Sequence, residues 1–393
     1  MKKVLLLLSF LSLELFALSL DELITQALEK NPSLASIEHR ITANQSAQDI
    51  SKQFANPVLS FSADNLDKTQ KMHKQTLTLQ QKLPYYGKRD TLLEISKADE
   101  GILDSTLFDA QVKLVNEIKN QAYNIWELQE LLKIIQEYEN ITRQNIELSE
   151  SYTSTGKNQH MGIMSAELSL TEFKIQKSVL KSKIFTAYQR LSYLTAIEVN
   201  KITLSLSMQE KMPSIESLKS ALSKNPELLL KEKEILKNKA MIKNAEINNY
   251  PDLNVIGAYS RRPNYNDYFT LGFGLSLPMY GTEDMKEEEQ RTLILATKSL
   301  KNDISLKIDA DFMSIYRQME SEYEIYHLIH DAALPQVAHM FKLTSSSIST
   351  GGDLFKYIYL LEQKLKLEQK SISAIANYNR ENAKISALRG ELQ

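Results

Sequence analysis

Few residues of this sequence have the type and spacing needed for chemistry. His327 and His330 lie one helical turn apart and could chelate a metal, but exposed helical histidines are far more common than metal ligands. Acidic pairs such as Asp309 and Asp311 are typical of solvated helix faces. The sequence contains no cysteine, no His-Glu-x-x-His motif, no Gly-rich phosphate loop and no Gly-x-Ser-x-Gly elbow. It therefore predicts no enzyme, no cofactor and no resident metal.

A second group of candidate ligands is formed by His160, Met161 and Met164. Imidazole and thioether groups favour soft ions such as copper(I). Methionine also fills irregular gaps between packed helices, and we favour this interpretation. A soft metal ion as transported cargo is the alternative.

The composition suits an elongated helical protein rather than a compact enzyme. The 393 residues include 47 basic and 49 acidic side chains, and this balance argues against a nucleic-acid partner. Only 11 glycines and 9 prolines occur, while 24% of the residues are charged. Such a composition is typical of long helices with solvated faces.

The first residues indicate export. Lys2 and Lys3 precede a short apolar run, and the small residue Ala17 follows it. This pattern predicts a signal peptide over residues 1–17 that is cleaved near Ala17. An uncleaved anchor is the alternative, although the run is shorter than the roughly 20 apolar residues that a membrane-spanning helix needs.

The chain contains an internal duplication. Three prolines recur 194 residues later, Pro32 as Pro226, Pro57 as Pro251 and Pro84 as Pro278. The tripeptide Ser-Thr-Gly occurs at 154–156 and again at 349–351. A register kept over most of the chain predicts two tandem structural repeats, residues 18–205 and 206–393.

Each repeat contains one segment with the period of a β-hairpin. Apolar side chains alternate with Ser, Thr, Gly and Gln over about 57–84 and about 251–278. Small uncharged groups on one face and apolar groups on the other fit a sheet with water on one side and lipid on the other. A small soluble β-patch packed on a helix is the alternative.

Long helical hairpins follow, over about 88–196 and about 282–390. Leucine and isoleucine recur there at the three-and-four spacing of a coiled-coil seam. A helix of some 60 residues is a rod of roughly 90 to 100 Å. The fold is therefore predicted to be mainly α with a small β part.

These motifs in this order resemble the TolC-like outer-membrane efflux proteins. The similarity covers essentially the whole mature chain, and the sequences that carry it are "ALEKNP" at 27–32, "LPYYG" at 83–87, "TGKNQHMGIMSAELSLTEF" at 155–173, "LPMYG" at 277–281 and "ALPQVAHM" at 333–340. The branch of the family that "LPYYGKR" and "TGKNQ" resemble includes outer-membrane partners of heavy-metal pumps.

The resemblance implies an exit duct of a tripartite efflux or type I secretion system in the outer membrane of a Gram-negative bacterium. It implies a homotrimer whose chains each give four strands to a shared barrel and long helices to a periplasmic tunnel. A periplasmic adaptor and an inner-membrane pump, of the RND rather than the ABC class, are the implied partners. From the residues alone, three copies supply twelve strands and two supply eight, so both remain open. The alternative function is a soluble periplasmic coiled-coil scaffold or adaptor.

Strand-to-helix hinges are predicted where each hairpin ends. Proline cannot donate a backbone hydrogen bond to a strand partner, and glycine permits a bend, so the hinges are Pro84, Gly87, Pro278 and Gly281.

Two further sets of residues follow from the resemblance. The turns at the periplasmic tips, which would contact the adaptor, contain Gly156, Lys157, Gly351 and Gly352. The candidate pore constriction comprises Asp353, Tyr357, Tyr359 and Glu362. The resemblance implies acidic residues there, whereas an aromatic constriction from Tyr357 or Tyr359 is our own hypothesis. Gly162 stands where the family often has aspartate, which weakens the case for an acidic ring.

Overall fold

The structure is a computed structural model that describes residues 18–64, 73–151, 157–348 and 354–392. Most of these residues are helical. Four helices are long: α3 (Lys88–Ser151), α4 (Lys157–Thr195), α7 (Thr282–His327) and α9 (Leu354–Leu388). The predicted mainly-α fold with a small β part is confirmed.

The elements that precede the long helices follow a similar order in both halves of the chain. The first half contains β1 (Leu18–Ser19), α1 (Leu20–Lys30), α2 (Pro32–Ser51), β2 (Val58–Asp64), β3 (Lys74–Leu83), α3 and α4. The second half contains β4 (Ile202–Thr203), α5 (Ile215–Lys219), a 3₁₀ turn (Leu222–Lys224), α6 (Pro226–Asn248), β5 (Asp252–Arg261), β6 (Tyr268–Ser276) and α7. The second half thus replaces α1 with a short helix and a 3₁₀ turn.

The prolines act where the sequence predicts. Helix α1 stops at Lys30, one residue before the Asn31-Pro32 pair, because proline disfavours a helical residue in front of it. Pro226 opens α6, and the Asn225 side chain accepts a hydrogen bond from the Glu227 backbone N–H at 2.9 Å. Asparagine as N-cap with proline in the first turn is a favoured helix start.

The second long helical segment is interrupted by a π turn rather than by the proline alone. Helix α7 ends at His327, a π turn covers Leu328–Ala333, and α8 (Leu334–Ile348) begins one residue before Pro335. Proline lacks the N–H that would bond the carbonyl four residues earlier, so the regular helix is broken in the turn before it.

The chain forms two compact units, and each unit takes segments from both halves. One unit contains residues 18–34, 110–223 and 308–392, and the other contains residues 35–109 and 224–307. The boundary between the predicted repeats at 205/206 therefore does not coincide with a boundary between units, and the repeat division stays a prediction.

The first unit holds two apolar clusters between its helices. One joins α1, α3 and α4 through Leu23, Ile118, Ile125 and Leu191, all fully or almost fully buried. The other joins α3, α4 and α9 and includes Ile135, Phe173, Leu354, Ile358, Leu361 and Leu365. The predicted seam of α9 is thus the buried face of that helix.

The second unit contains the antiparallel four-stranded sheet, in the order β2-β3-β5-β6. Strands β3 and β5 come from different halves of the chain and pair over nine residues, from Gln75 opposite Arg261 to Leu83 opposite Leu253. Strands β2 and β6 are the two edges. Across the described ranges, no helix has both the length and the apolar character of a membrane-spanning helix.

Candidate functional site

The four-stranded sheet has one apolar face that the chain itself leaves exposed. Strand pairing brings the apolar residues into rows, such as Leu77 opposite Tyr259 and Tyr259 opposite Phe269. The exposed fraction is 66% for Phe61 and 84% for Phe269. The face is formed by Leu59, Phe61, Leu77, Leu79, Leu83, Leu253, Val255, Tyr259, Phe269, Leu271, Phe273 and Leu275. Contiguous exposed apolar surface on this scale marks an interaction surface.

The opposite face carries small and polar side chains. Thr76 and Ser260 lie opposite each other, and their hydroxyl oxygens are 3.1 Å apart. A Cβ at Gly272 or Gly274 of β6 would lie 3.7 Å from its nearest neighbouring atom, an ordinary contact, so neither position requires glycine on steric grounds. A sheet with this division of faces matches a membrane strand layer with lipid outside and water inside.

The predicted hinges lie where the strands end and helices begin. Strand β3 ends at Leu83, immediately before Pro84, and α3 begins at Lys88. Gly87 has φ +88°, and Gly281 has φ +65°, in the left-handed region where glycine is favoured. At Gly87 a Cβ would also come 2.7 Å from the Ile247 Cδ1 atom. Their function as barrel-to-tunnel hinges stays a prediction.

Two tyrosines beside the hinges are almost fully exposed, Tyr86 at 89% and Tyr280 at 91%. The neighbouring Tyr85 instead stacks on Tyr250, with ring centroids 4.5 Å apart. Exposed tyrosines next to an exposed apolar face are typical of the level where a membrane meets water.

A shielded ion cluster fixes the first hinge, and sequence reasoning missed it. The Lys88 ammonium nitrogen lies 2.8 Å from Asp252 Oδ1, and both side chains are only about one tenth exposed. Lys82 lies 3.1 Å from the other oxygen of Asp252. The Tyr85 backbone N–H also donates to Asp252 Oδ1, at 3.0 Å. The cluster therefore ties the start of α3 to the start of β5.

Of the predicted tip residues, one lies within the described ranges. Gly156, Gly351, Gly352 and Asp353 lie outside the described residues, as does the predicted cleavage position Ala17. Lys157 is the first residue of α4. The adaptor contact at these turns therefore remains a prediction.

Gly162 marks a close approach of α4 and α9. A Cβ at this position would lie 2.9 Å from Leu354 Cβ and 3.1 Å from the Phe355 backbone nitrogen. An aspartate, which the resembled family often has here, does not fit without separating the helices. Glycine at position 162 therefore permits the close approach of the two helices.

The candidate constriction residues fall into different environments. Tyr357 is 5% exposed, its ring lies 4.8 Å from that of Phe341, and its hydroxyl accepts a hydrogen bond from Asn145 Nδ2 at 3.2 Å. Because these contacts bury the ring between helices, we remove Tyr357 from the pore-lining candidates. Tyr359 is 55% exposed, and Glu362 accepts a hydrogen bond from the Ser169 hydroxyl at 2.6 Å.

The candidate metal ligands lie on exposed parts of the helices. Met161 and Met164 are 61% and 57% exposed, so the expectation that they pack between helices is wrong within the single chain. His327 and His330 each place Nδ1 next to a different oxygen of Asp331, at 3.0 and 3.1 Å. Within the described residues, no group of three or more His, Cys, Asp or Glu side chains is arranged to hold a metal ion.

Charged and polar side chains in the first unit connect its helices to one another. Lys177 Nζ donates to Glu139 at 2.8 Å and lowers the pKa of that carboxyl, with Arg143 as a second partner. Burial raises the pKa of Glu322, although Asn377 donates a hydrogen bond to it. Burial raises the pKa of Tyr378 to about 12. The contact of Lys177 with Glu139 joins α4 to α3, and the contact of Asn377 with Glu322 joins α9 to α7. We interpret these contacts as structural.

Comparison with known proteins finds a family match for part of the chain and a shared fold for nearly all of it. Residues 23–196 match the family described as "Outer membrane efflux protein". No curated protein matches the chain.

Solved structures match almost the whole chain. CusC, described through its transmembrane channel formation, is 12% identical over 96% of this chain and 93% of its own, with a TM-score of 0.79. The Neisseria gonorrhoeae MtrE outer membrane channel is 14% identical over 95% and 89%, with a TM-score of 0.79. The Vibrio cholerae outer membrane protein VceC is 12% identical over 95% and 97%, with a TM-score of 0.77. At these identities the likeness establishes the fold.

The family match and the channel fold agree with the two-faced sheet and the long helices. Residues 23–196 are thus similar to the outer membrane efflux proteins, and the whole chain has the fold of outer membrane channels such as CusC, MtrE and VceC.

Proposed function

We propose that three copies of this chain join their sheets into one closed barrel in the outer membrane, with the long helices forming a tunnel in the periplasm. The exposed apolar face of the sheet carries this proposal. Four strands cannot close a barrel, and open strand edges are not tolerated in lipid. Homotrimeric assembly is the form in which channels of this family work.

The duct conducts its substrates passively, and another protein supplies the energy for their transport. The sequence has no nucleotide-binding loop, so a pump in the inner membrane supplies the energy. A periplasmic adaptor connects the two, contacting the turns that contain Gly156 with Lys157 and Gly351 with Gly352. We favour a pump of the RND class over one of the ABC class. Outer-membrane lipid contacts the apolar face of the sheet.

We further propose that Tyr359, with Asp353 and Glu362, narrows the tunnel. Tyr359 is more than half exposed on α9, as a pore-lining ring must be. Tyr357 is not part of this constriction because its ring is buried. The alternative, a soluble scaffold or adaptor, would leave the apolar face of the sheet in water, which is unfavourable for a surface of this size.

A matched pair of lysine substitutions tests the membrane role. Leu271 lies on the apolar face, and the adjacent Thr270 lies on the polar face. Leu271→Lys places a charge against lipid and costs about 2 to 4 kcal/mol, whereas Thr270→Lys faces water and costs little. We expect Leu271→Lys to reduce the amount of folded oligomer in outer-membrane fractions severalfold and Thr270→Lys to leave it near the wild-type amount.

Planar bilayers give the second readout. Purified wild-type protein should form ion-conducting channels, and Thr270→Lys should alter their ion selectivity. A water-soluble monomer, released by osmotic shock and unable to conduct, would contradict the proposal and favour the scaffold.

A further inference from the structure

The two edge strands of the sheet, β2 and β6, are the sequence counterparts of β5 and β3, which pair with each other inside the chain. Pro84 recurs as Pro278, and Pro57 recurs as Pro251, each 194 residues later. In that relationship β6 is the counterpart of β3, and β2 is the counterpart of β5. The seam β3–β5 inside the chain is therefore a template for a seam between β6 of one copy and β2 of the next.

We propose that β6 pairs antiparallel with β2 of a second copy, with Ser276 directly opposite the partner's Ser60. This inference rests on the proposed closure of the sheet by several copies and adds the residue register of the joint. Lys82 lies opposite Asn254 in the internal seam, and moving these two positions by 194 residues gives Ser276 and Ser60. The same step places Leu277 opposite the partner's Leu59, and Leu275 opposite the partner's Phe61.

The side chains on both strands agree with this register. Leu275, Leu277, Leu59 and Phe61 are all more than 60% exposed in the single chain. The register brings them together on the apolar face and leaves the serines on the polar face. A shift by one residue would place apolar side chains opposite polar ones, because strand faces alternate at every residue.

Shifts by two residues preserve the faces, but one of them brings a proline into the ladder. A shift in one direction places Pro278 opposite the partner's Ser60, and a shift in the other places Leu277 opposite the partner's Pro57. In the internal seam the last ladder pair is Leu83 opposite Leu253. The counterparts of these two residues are Leu277 and the partner's Leu59. Proline has no N–H for the ladder, so the shift that places Pro278 opposite the partner's Ser60 loses ladder hydrogen bonds. The opposite shift keeps both prolines outside β2 and β6, and the pairing of the internal seam is the argument against it.

Barrel geometry gives a second argument. The observed pairs lead across the sheet from Val58 to Gln80, then to Ile256 and then to Gly272. In the proposed joint Gly272 lies opposite the partner's Asp64, which is six positions further along β2 than Val58. Three copies then give a strand tilt of about 45°, within the range common for barrels. The shift that moves Pro278 into the ladder would raise the tilt to about 54°, which lies outside that range, whereas the opposite shift would give about 35°, at its lower limit.

The proposed joint between β6 and β2 lacks the charged residues found at one end of the β3–β5 seam. The internal seam is fastened by Lys88, Lys82 and Asp252, whose counterparts are Thr282, Ser276 and the partner's Val58. No ion pair therefore holds the equivalent corner between copies. At this corner the joint depends on backbone hydrogen bonds and apolar contacts.

Disulfide trapping tests the register, and the absence of native cysteine removes any background. Directly opposite residues in an antiparallel pair lie within the Cα range of a disulfide, whereas diagonal neighbours lie beyond it. We expect Ser60→Cys with Ser276→Cys to cross-link copies into a covalent trimer. This pair should react at least about tenfold faster than Ser62→Cys or Val58→Cys combined with Ser276→Cys.

Two controls make every outcome decisive. Thr76→Cys with Ser260→Cys should close a disulfide within one chain, which reports a folded and accessible sheet. Ser276→Cys alone should not cross-link. Faster reaction of either shifted pair overturns the register while the closure by several copies stands. If the internal control closes and none of the three pairs cross-links, the joint itself is overturned, and the proposed barrel fails with it.

Discussion

Lys88 and Asp252 form an ion pair of 2.8 Å between the first residue of α3 and the first residue of β5. The Lys88 ammonium also donates to the Tyr250 carbonyl at 2.6 Å. The pair therefore connects a helix of the first half of the chain to a strand of the second, at the point where the chain leaves the sheet. Shielded charges at such a corner resist separation of the two elements.

Lys88→Met should destabilise the sheet-bearing unit by about 3 kcal/mol, because removing one partner leaves the other charge shielded and incompletely paired. The measurement is chemical denaturation of the detergent-solubilised protein followed by circular dichroism. Lys243→Met is the matched control, since its ion pair with Glu94 at 2.7 Å is about half exposed. Exposed pairs contribute about 0 to 1 kcal/mol. Equal losses in the two variants would contradict the structural importance of the shielded pair.

Gly162→Ala should be destabilising by about 1 to 3 kcal/mol, since the added methyl group overlaps Leu354 and the backbone of Phe355. Gly101→Ala is the control within another helix. Its Cβ would lie 3.5 Å from Lys233 Cδ, an ordinary contact, so this variant should gain up to about 1 kcal/mol of stability. Thermal unfolding of both variants distinguishes a steric effect from a general effect of glycine. Stabilisation by Gly162→Ala would show that α4 and α9 separate easily.

The regular elements could be predicted because they follow from local periodicity. The alternation in "FTLGFGLSL" marks β6, and the absence of proline between Lys88 and Ser151 permits one unbroken helix. The shielded cluster could not be predicted, since the Tyr85 backbone donates to an aspartate 167 residues away along the chain. No local pattern specifies which lysine meets which carboxylate over that separation.

Tyr357 shows what the hypothesis of an aromatic constriction did not take into account. Its position next to Ile358 and three residues after Leu354 places it beside the seam of α9, and the structure buries it there. A helix buries a stripe broader than the strict three-and-four seam, so residues flanking the seam are core residues as often as surface residues. The close approach at Gly162 also depends on the position of a second helix, which the sequence near Gly162 does not encode.

Glu322 and Glu139 should respond to pH with opposite signs. Burial raises the pKa of Glu322 above its unfolded value, so folding disfavours its charged form and stability is lost as pH rises through the window between the two values. Glu322→Gln should therefore be more stable than the wild type at pH 7. The difference should disappear well below the unfolded pKa.

Glu139 is the matched contrast. Its hydrogen bond from Lys177 lowers its pKa, so its contribution is present above the unfolded pKa and is lost as pH falls through the folded value. Glu139→Gln should be less stable than the wild type at pH 7, and the two should converge in acid. Midpoints of thermal unfolding between pH 3 and pH 8 give both curves. Shifts of the same sign in both variants would contradict these environments.

Tyr359→Ala should widen the tunnel and raise single-channel conductance by roughly twofold, because an exposed ring of side chains narrows the path of hydrated ions. Tyr357→Ala should instead cost about 3 kcal/mol of stability and leave the conductance of surviving channels unchanged, because its ring packs against Phe341. Tyr357→Phe keeps the packing and loses only the contact with Asn145, so it should be close to wild type in both measurements. If Tyr357→Ala changes conductance and Tyr359→Ala does not, the assignment of the two tyrosines is reversed. If neither changes conductance, α9 does not form the narrowest part of the duct at this level.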